Sequence, residues 1–191
     1  LYGATGAKAK FYAPWPDPWP RKREEFGDDL GKDLWCLLEP SRLLDLLAHF
    51  IVFEADPDTG QPIKKVCRYQ QFRAVNKAVN RVAEGKKKKG LIWHTQGSGK
   101  SLTMVFLALK LKTHLNLSAA TLENPNILVL TDRIDLDTQI SGTFVACGLP
   151  NPTQASSVAA LREAVAQGGN GQILLSTIFK FQGSKTAIPN S

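Results

Sequence analysis

The feature of this sequence that most constrains its fold is a glycine-rich turn between an apolar run and an amphipathic segment. Leu91-Ile92-Trp93 is the apolar run, Gly97-Ser98-Gly99-Lys100-Ser101 is the turn, and residues 101–115 carry apolar side chains at helical spacing. A strand, a glycine turn and a helix in this order are the context that a phosphate-binding loop requires. We therefore predict a strand at 91–93 and a helix at 101–115 on either side of an anion-binding loop.

The residue types in this loop suit the phosphates of a nucleotide. Glycine lets backbone N–H groups turn toward the β-phosphate, and the helix N-terminus adds a partial positive charge. Lys100 would neutralise β- and γ-phosphate oxygens, which makes it the candidate catalytic residue, and the Ser101 hydroxyl would bind Mg²⁺. His94 stands where the eight-residue consensus has glycine, at a position that only shapes the turn. The predicted nucleotide contacts are Thr95, Gln96, Gly97, Ser98, Gly99, Lys100 and Ser101.

Apolar runs alternate with helical patterns after the loop. Residues 126–131 include four consecutive apolar side chains, the pattern of a strand that is covered on both faces. Helices are predicted at about 134–146 and 156–167, the second ended by Gly168-Gly169, and a further strand at 173–175. This alternation predicts an α/β fold with a parallel sheet.

The first 40 residues are rich in proline and tryptophan. Proline breaks helices, so this stretch is predicted to be a connector whose large aromatic side chains dock on another surface. Packing against a neighbouring domain and a platform for stacked bases are both open for them. The tryptophans concerned are Trp15, Trp19 and Trp35.

Two helices are predicted between this connector and the loop. Ser41 is placed to cap the first, which runs to the turn residues at 56–60. The second covers Tyr69–Glu84 and ends at Gly85. The four lysines at 86–89 form either a solvated loop or a phosphate contact. The predicted buried stripe of the second helix is Phe72, Val75, Val79 and Val82.

Composition places few further limits on the chain. With 43% hydrophobic and 21% charged residues it is expected to fold around a core. The net charge of +7 suits a polyanionic partner without requiring one. Cys36, Cys67 and Cys147 are odd in number and lack histidines at ligand spacing, so neither a disulfide framework nor a zinc site is indicated. We see neither a membrane-spanning run nor a signal peptide, and expect a cytoplasmic protein.

Several stretches of the sequence resemble, in order, one known protein family. Residues 93–104 resemble motif I of the restriction subunits of type I restriction-modification enzymes, which contain a superfamily-2 helicase-like motor. Residues 42–54 look like the segment that joins the nuclease to the motor in that family, and residues 68–71 like its adenine-recognition element. Residues 130–139 resemble motif Ia, and residues 176–181 resemble the next DNA-side element.

This resemblance implies a domain organisation and a set of site residues. It implies that residues 1–40 connect to a preceding nuclease domain and that residues 41–191 form an incomplete first RecA-like motor lobe. Gln71 would recognise the adenine of ATP, with Mg²⁺ as the second cofactor. Arg133 and Thr177 would contact DNA, although Phe179 replaces the glutamine that the family has beside Thr177. A surface glutamine for Gln71, and an arginine paired with a nearby aspartate for Arg133, are the alternatives.

In the intact family, ATP hydrolysis drives translocation along double-stranded DNA, and a separate nuclease centre cleaves it. The resemblance implies double-stranded DNA and the methylation and specificity subunits as partners. We find no acidic helicase box before Ser191 and no nuclease cluster, so we expect nucleotide binding with little hydrolysis by this chain alone. Two other functions stay open: another P-loop NTPase such as a small-molecule kinase, and a non-catalytic remnant that binds DNA or a partner.

Overall fold

The computed structural model of the chain describes residues 1–4, 8–56, 59–113, 125–149, 152–155, 157–166 and 171–179. The chain divides into two compact units, Leu1–Lys110 and Leu111–Ser191. Among the described residues no helix is long and apolar enough to span a membrane.

The first unit combines helices with one β-hairpin. Its elements are α1 (Asp29–Leu38), α2 (Pro40–His49), β1 (Ile51–Ala55), β2 (Pro62–Val66), α3 (Tyr69–Glu84) and α4 (Lys100–Thr113), the last of which continues three residues beyond the unit boundary. Strands β1 and β2 pair antiparallel, with Ile51 opposite Val66. Single 3-10 turns lie at Ala9–Phe11 and Arg23–Glu25.

Helix α2 differs from the prediction at both ends. It begins at Pro40 and is capped by Glu39, whose carboxylate accepts from the Arg42 backbone N–H at 2.9 Å, whereas the predicted cap, Ser41, donates its hydroxyl to Glu39. It ends at His49 rather than near residue 56. The β-branched and aromatic residues that follow favour a strand, and β2 supplies the partner that satisfies their backbone groups.

Helix α3 was predicted correctly at both ends. Gly85 ends it in the left-handed conformation, with φ of 65°. Phe72, Val75 and Val79 are buried as expected, while Val82 in the last turn is 43% exposed. This buried face fixes which side of α3 is turned to solvent.

The proline- and tryptophan-rich segment packs within its own unit. Trp15 is 2% exposed, and its ring lies 5.5 Å from that of Phe72 on α3. The buried Arg42 guanidinium lies 4.5 Å from the ring of Trp35 and 4.7 Å from that of Phe72. The role of Trp15 is therefore packing rather than base stacking. The predicted domain boundary near residue 40 stays a prediction.

The second unit contains a parallel sheet, as the alternation of apolar runs predicted. Its elements are β3 (Ile127–Thr131), α5 (Ile134–Ala146), β4 (Pro152–Gln154), α6 (Val158–Ala166) and β5 (Ile173–Thr177). The strand order is β3-β5-β4, and both pairings are parallel. Strand β4 was not predicted, because three residues that include a proline give too short a pattern. The α/β fold class is confirmed.

Strand β3 departs from its predicted burial. Central β5 is buried at every position, but in β3 Leu128 is 37% and Leu130 is 45% exposed. An edge strand that is covered on one face alternates in this way, so the prediction of two covered faces is wrong for β3. The predicted helix end at Leu115 and the Gly168-Gly169 stop lie outside the described residues.

Candidate nucleotide-binding site

The apolar run ahead of the glycine loop does not form the predicted strand. Leu91 and Trp93 are 85% and 84% exposed, and residues 85–99 contain only turns, bends and irregular backbone. An apolar run becomes a strand only where a neighbour takes its backbone hydrogen bonds. In the described part of the first unit, the strands β1 and β2 pair with each other, and no strand pairs with this run.

The glycine loop turns through two glycines in the left-handed conformation. Gly97 and Gly99 have φ of 76° and 83°, the left-handed region that glycine enters without a steric penalty. The Ser98 N–H donates to the Thr95 carbonyl at 3.3 Å, and α4 begins at Lys100. The predicted loop is therefore present and leads directly into a helix.

The first turn of α4 carries no acidic residue of its own. The first N–H groups of a helix have no intrahelical acceptor, and their dipoles favour an anion. The first turn of α4 contains no acidic side chain that would neutralise this field. Ser101 is half-buried in that turn. An end of a helix with these properties is one that phosphate oxygens favour, and the predicted roles of this end and of Ser101 stay predictions.

Lys100 is exposed and folds back on the loop. Its ammonium donates to the Thr95 carbonyl at 3.0 Å. A phosphate oxygen would compete with this carbonyl for the ammonium, because opposite charges attract more strongly than a charge and a neutral acceptor. The loop thus contains a cation that can move to a bound phosphate.

Gln71 connects α3 to this loop. Its side-chain carbonyl accepts from the Arg68 N–H at 2.8 Å, and its amide donates to the Gly99 carbonyl at 3.0 Å. The residue is only 3% exposed. Both ends of the amide are therefore used inside the protein, and the observed contact of Gln71 is with the loop backbone. Its predicted contact with adenine stays a prediction.

We expect Gly99→Ala to disturb this connection far more than Gly97→Ala. Both substitutions put a side chain at positive φ, which costs about 1–2 kcal/mol. At Gly99 the added carbon would also lie 2.7 Å from the Gln71 amide nitrogen, whereas at Gly97 it meets no atom within 4 Å. The Thr103 N–H donates to the Gly99 carbonyl and is the local reporter.

Hydrogen exchange at Thr103 measures this effect. We expect Gly99→Ala to reduce protection about tenfold more than Gly97→Ala, equal to about 1.4 kcal/mol, because the Gln71 amide must shift and give up its bond to the Gly99 carbonyl. Equal protection in the two variants would show that Gln71 does not hold the loop.

A buried polar cluster, not predicted from the sequence, joins α2, α3 and α4. The Lys110 ammonium donates to Asp45 at 2.5 Å and to the Asn76 side-chain oxygen at 2.6 Å. Asp45 also lies 2.7 Å from the His49 ring nitrogen. Lys110 is 4% exposed. The signal that would have revealed the cluster is a lysine within the buried face of α4, because an ammonium is almost never buried without a partner.

The charges in this cluster adjust one another's pKa. Burial opposes ionisation of Asp45, but the hydrogen bonds from His49 and Lys110 outweigh it, so the pKa of Asp45 lies below its usual value. Burial lowers the pKa of Lys110, an effect that the bond to Asp45 partly offsets. Each of the two groups therefore favours the charged form of the other.

The two residues predicted to contact DNA lie in the second unit. Arg133 immediately precedes α5 and pairs with Asp135 through two hydrogen bonds of 3.1 and 2.7 Å, which lowers the pKa of Asp135. Thr177, the last residue of β5, is 4% exposed. Buried Asp137, which accepts from Gln154 at 2.5 Å, was not predicted. No cluster of metal-ligating side chains is found among the described residues.

Comparisons with known proteins place this loop in a family. The family model of the SWI2/SNF2 ATPase matches residues 70–191. The endonuclease subunit of the type I restriction enzyme HindI from Haemophilus influenzae is 37% identical over 190 residues, which are 94% of this chain and 17% of that protein. In Methanocaldococcus jannaschii, the putative MjaVIIIP subunit is 32% identical over 136 residues, which are 69% of this chain and 12% of that protein.

A second Methanocaldococcus jannaschii protein, the putative MjaVIIP endonuclease subunit, is 40% identical over 113 residues, which are 56% of this chain and 10% of that protein. The chain spans less than a fifth of the length of each of these relatives. The resemblance drawn from the sequence is confirmed: the chain belongs to the SWI2/SNF2 ATPase family, in the form found in the endonuclease subunits of type I restriction enzymes.

Proposed function

We propose that this chain is the ATP-binding part of a DNA-translocating motor in a type I restriction endonuclease. The observation that carries the proposal is the glycine loop at the start of α4, where two left-handed glycines precede an exposed lysine and a first turn without acidic residues. The relatives, which are named as endonuclease subunits of type I restriction enzymes, supply the wider setting. The intact enzyme would couple ATP hydrolysis to movement along double-stranded DNA, together with methylation and specificity subunits.

In this proposal the loop holds the phosphates of ATP through its backbone. The N–H groups between Gly97 and Ser101 and the dipole of α4 orient the β-phosphate. Lys100 leaves the Thr95 carbonyl and binds β- and γ-phosphate oxygens, where its charge offsets the negative charge that develops during phosphoryl transfer. Mg²⁺, when bound, would supply further neutralisation of that charge, and the Ser101 hydroxyl would hold it.

The DNA contacts proposed for the second unit need local changes. Arg133 would exchange Asp135 for a phosphate, which costs little because the pair is about two-thirds exposed. Thr177 is buried, so its side chain would reach DNA only after a rearrangement at the end of β5. Arg133 is therefore the better supported of the two proposed contacts.

Gln71 either positions the phosphate loop or recognises the adenine, and the two roles predict different effects of its removal. Since Gln71 holds the Gly99 carbonyl, we expect Gln71→Ala to weaken MgATP and MgGTP binding by the same factor, about tenfold, which corresponds to one lost hydrogen bond. Fluorescence titration with both nucleotides measures it. Asn80→Ala, at an exposed position of α3, is the matched control and should leave both affinities unchanged.

Three outcomes of this titration have distinct meanings. Equal loss for both nucleotides makes Gln71 a positioning residue for the loop. Loss for ATP alone assigns it to the adenine, as the family resemblance implies. Failure of the unchanged chain to bind either nucleotide contradicts the proposed function itself.

A further inference from the structure

A basic groove lies beside α3 in the first unit and reaches His94 at the start of the phosphate loop. It is a cavity of about 950 Å³ between α3 and the segment at residues 87–94. The small side chains of Ala74 and Ala78 are part of its lining. Lysine and arginine side chains supply most of the charge along its length. Those cations are Arg73, Lys77, Arg81, Lys87, Lys88 and Lys89.

One wall of the groove is a row of cations on α3. Arg73, Lys77 and Arg81 are spaced four residues apart, so they share one exposed helix face, opposite the buried face of α3. Each step of four residues rises about 6 Å along the helix. The three positive charges therefore form a line rather than a single point.

The other wall is the lysine run, held against α3. The Arg81 guanidinium donates to the Lys89 carbonyl at 2.7 Å, and the Gly90 backbone lies against the Arg81 side chain. The exposed Lys87 and Lys88 line the cavity next to it. The lysine run thus faces a second row of cations instead of extending alone into solvent.

Few carboxylates balance these charges. Asp17 pairs with Arg73 at 2.5 Å, and Glu84 is the other acidic residue that lines the groove. Within the described part of the chain, Lys77, Arg81 and the lysines at 87–89 have no ion-pair partner. A cleft lined by one sign of charge concentrates counter-ions of the opposite sign.

We propose that this groove binds the phosphodiester backbone of DNA. Two facing rows of cations suit a ligand with repeated negative charges, whereas a single phosphate would use only one part of either row. The charge arrangement is observed independently of the proposed motor function. The choice of DNA, rather than another polyanion, rests on that proposed function. The groove is distinct from Arg133 and Thr177, which lie in the second unit.

Exposed Trp93 also lines the groove. Its position is relevant to whether the groove prefers single-stranded or double-stranded DNA. Its ring is 84% exposed, and an exposed indole gives a stacking surface to unpaired bases. Single-stranded and double-stranded DNA present the same phosphodiester to the cations. Titrating the chain with fluorescent oligonucleotides of both forms therefore tests the groove and identifies its preferred substrate.

The test compares two triple variants of the full chain at several salt concentrations. Lys87→Ala/Lys88→Ala/Lys89→Ala removes groove charges. Lys8→Ala/Lys22→Ala/Lys64→Ala removes the same net charge from exposed positions elsewhere in the unit. We expect the groove variant to lower DNA affinity at least about tenfold and to reduce the slope of log K against log salt by about 2–3, while the control changes both little.

A second variant and a nucleotide control complete the test. Ala78→Glu puts a carboxylate into the lining of the groove and should also weaken DNA binding, because it repels phosphates. Both groove variants should keep the nucleotide affinity of the unchanged chain, and Lys100→Ala should keep its DNA affinity. The two measurements therefore distinguish an error in the proposed nucleotide site from an error in the proposed DNA groove. Equal loss in the two lysine triples, or no DNA binding by the unchanged chain, would overturn the proposal.

Discussion

Replacing Lys100 with alanine is expected to weaken MgATP binding by this chain at least about 100-fold. Lys100 is the cation at the start of α4, and it would make charge-assisted hydrogen bonds to two phosphates. Each such bond contributes about 1.5–3 kcal/mol, so losing two corresponds to a factor of 100 or more in the dissociation constant. Isothermal titration calorimetry with a non-hydrolysed ATP analogue and Mg²⁺ measures the difference.

The Lys100 substitution should leave the fold intact. In the structure Lys100 is exposed and makes one hydrogen bond, to the Thr95 carbonyl, so the free energy of unfolding should change by less than about 0.5 kcal/mol. Lys64→Ala removes the same charge from an exposed position on β2 and serves as the matched control. Equal affinity of the Lys100→Ala variant and the unchanged chain would remove the phosphate-site assignment.

Replacing Asp45 with alanine is expected to destabilise the chain by about 3 kcal/mol, the second large effect. The substitution would leave the ammonium of Lys110, 4% exposed, without its carboxylate. Removing one partner of a buried ion pair costs about 3–5 kcal/mol, because the remaining charge has lost its compensation. We take the lower end of that range because the Asp45 side chain is 19% exposed. Urea unfolding followed by circular dichroism measures the loss.

Two controls distinguish this effect from the loss of an ordinary ion pair. Asp135→Ala removes the exposed pair with Arg133 and should cost far less stability than Asp45→Ala, because solvent screens the exposed pair. The double variant Asp45→Leu/Lys110→Met removes both charges and should recover most of the lost stability. A cost below 1 kcal/mol for Asp45→Ala would show that the cluster does not hold the three helices together.

The difference in stability between the unchanged chain and Asp45→Ala should depend on pH in one direction. The pKa of Asp45 is lower in the folded chain than its ordinary value, so the ionised carboxylate favours folding. Its contribution is complete above about pH 4, the ordinary aspartate value, and is lost as pH falls through the lower pKa of the folded state. The stability gap between the unchanged chain and Asp45→Ala should therefore narrow in acid.

Local sequence signals predicted the elements whose structure depends on local interactions. Helix α3 has an apolar stripe over four turns and a glycine at its end, and both ends were predicted correctly. The glycine loop was predicted because positive φ at Gly97 and Gly99 follows from the residue type. The central strand β5 was predicted from its continuous apolar run.

Features that depend on distant partners were missed or wrong. The segment that was predicted to extend α2 forms strand β1 of a hairpin instead. The spacing of apolar residues could not predict this, because the strand depends on the pairing of Ile51 with Val66. The run at 91–93 has strand-forming residues but no partner strand among the described residues of its own unit. Lys110 finds its carboxylate 65 residues away, a contact that no local pattern encodes. The dual contact of Gln71 with Arg68 and Gly99 likewise requires the fold.

Amide NMR of the isotope-labelled chain tests the central claim most directly, because it observes the backbone groups that would hold the phosphates. On addition of MgADP, the largest shift changes should occur at the N–H groups of Gly97, Gly99, Lys100 and Ser101, and Lys100→Ala should reduce them at the same nucleotide concentration. If these signals stayed fixed at saturating nucleotide, or if the changes lay in another part of the chain, the loop would not be the nucleotide site.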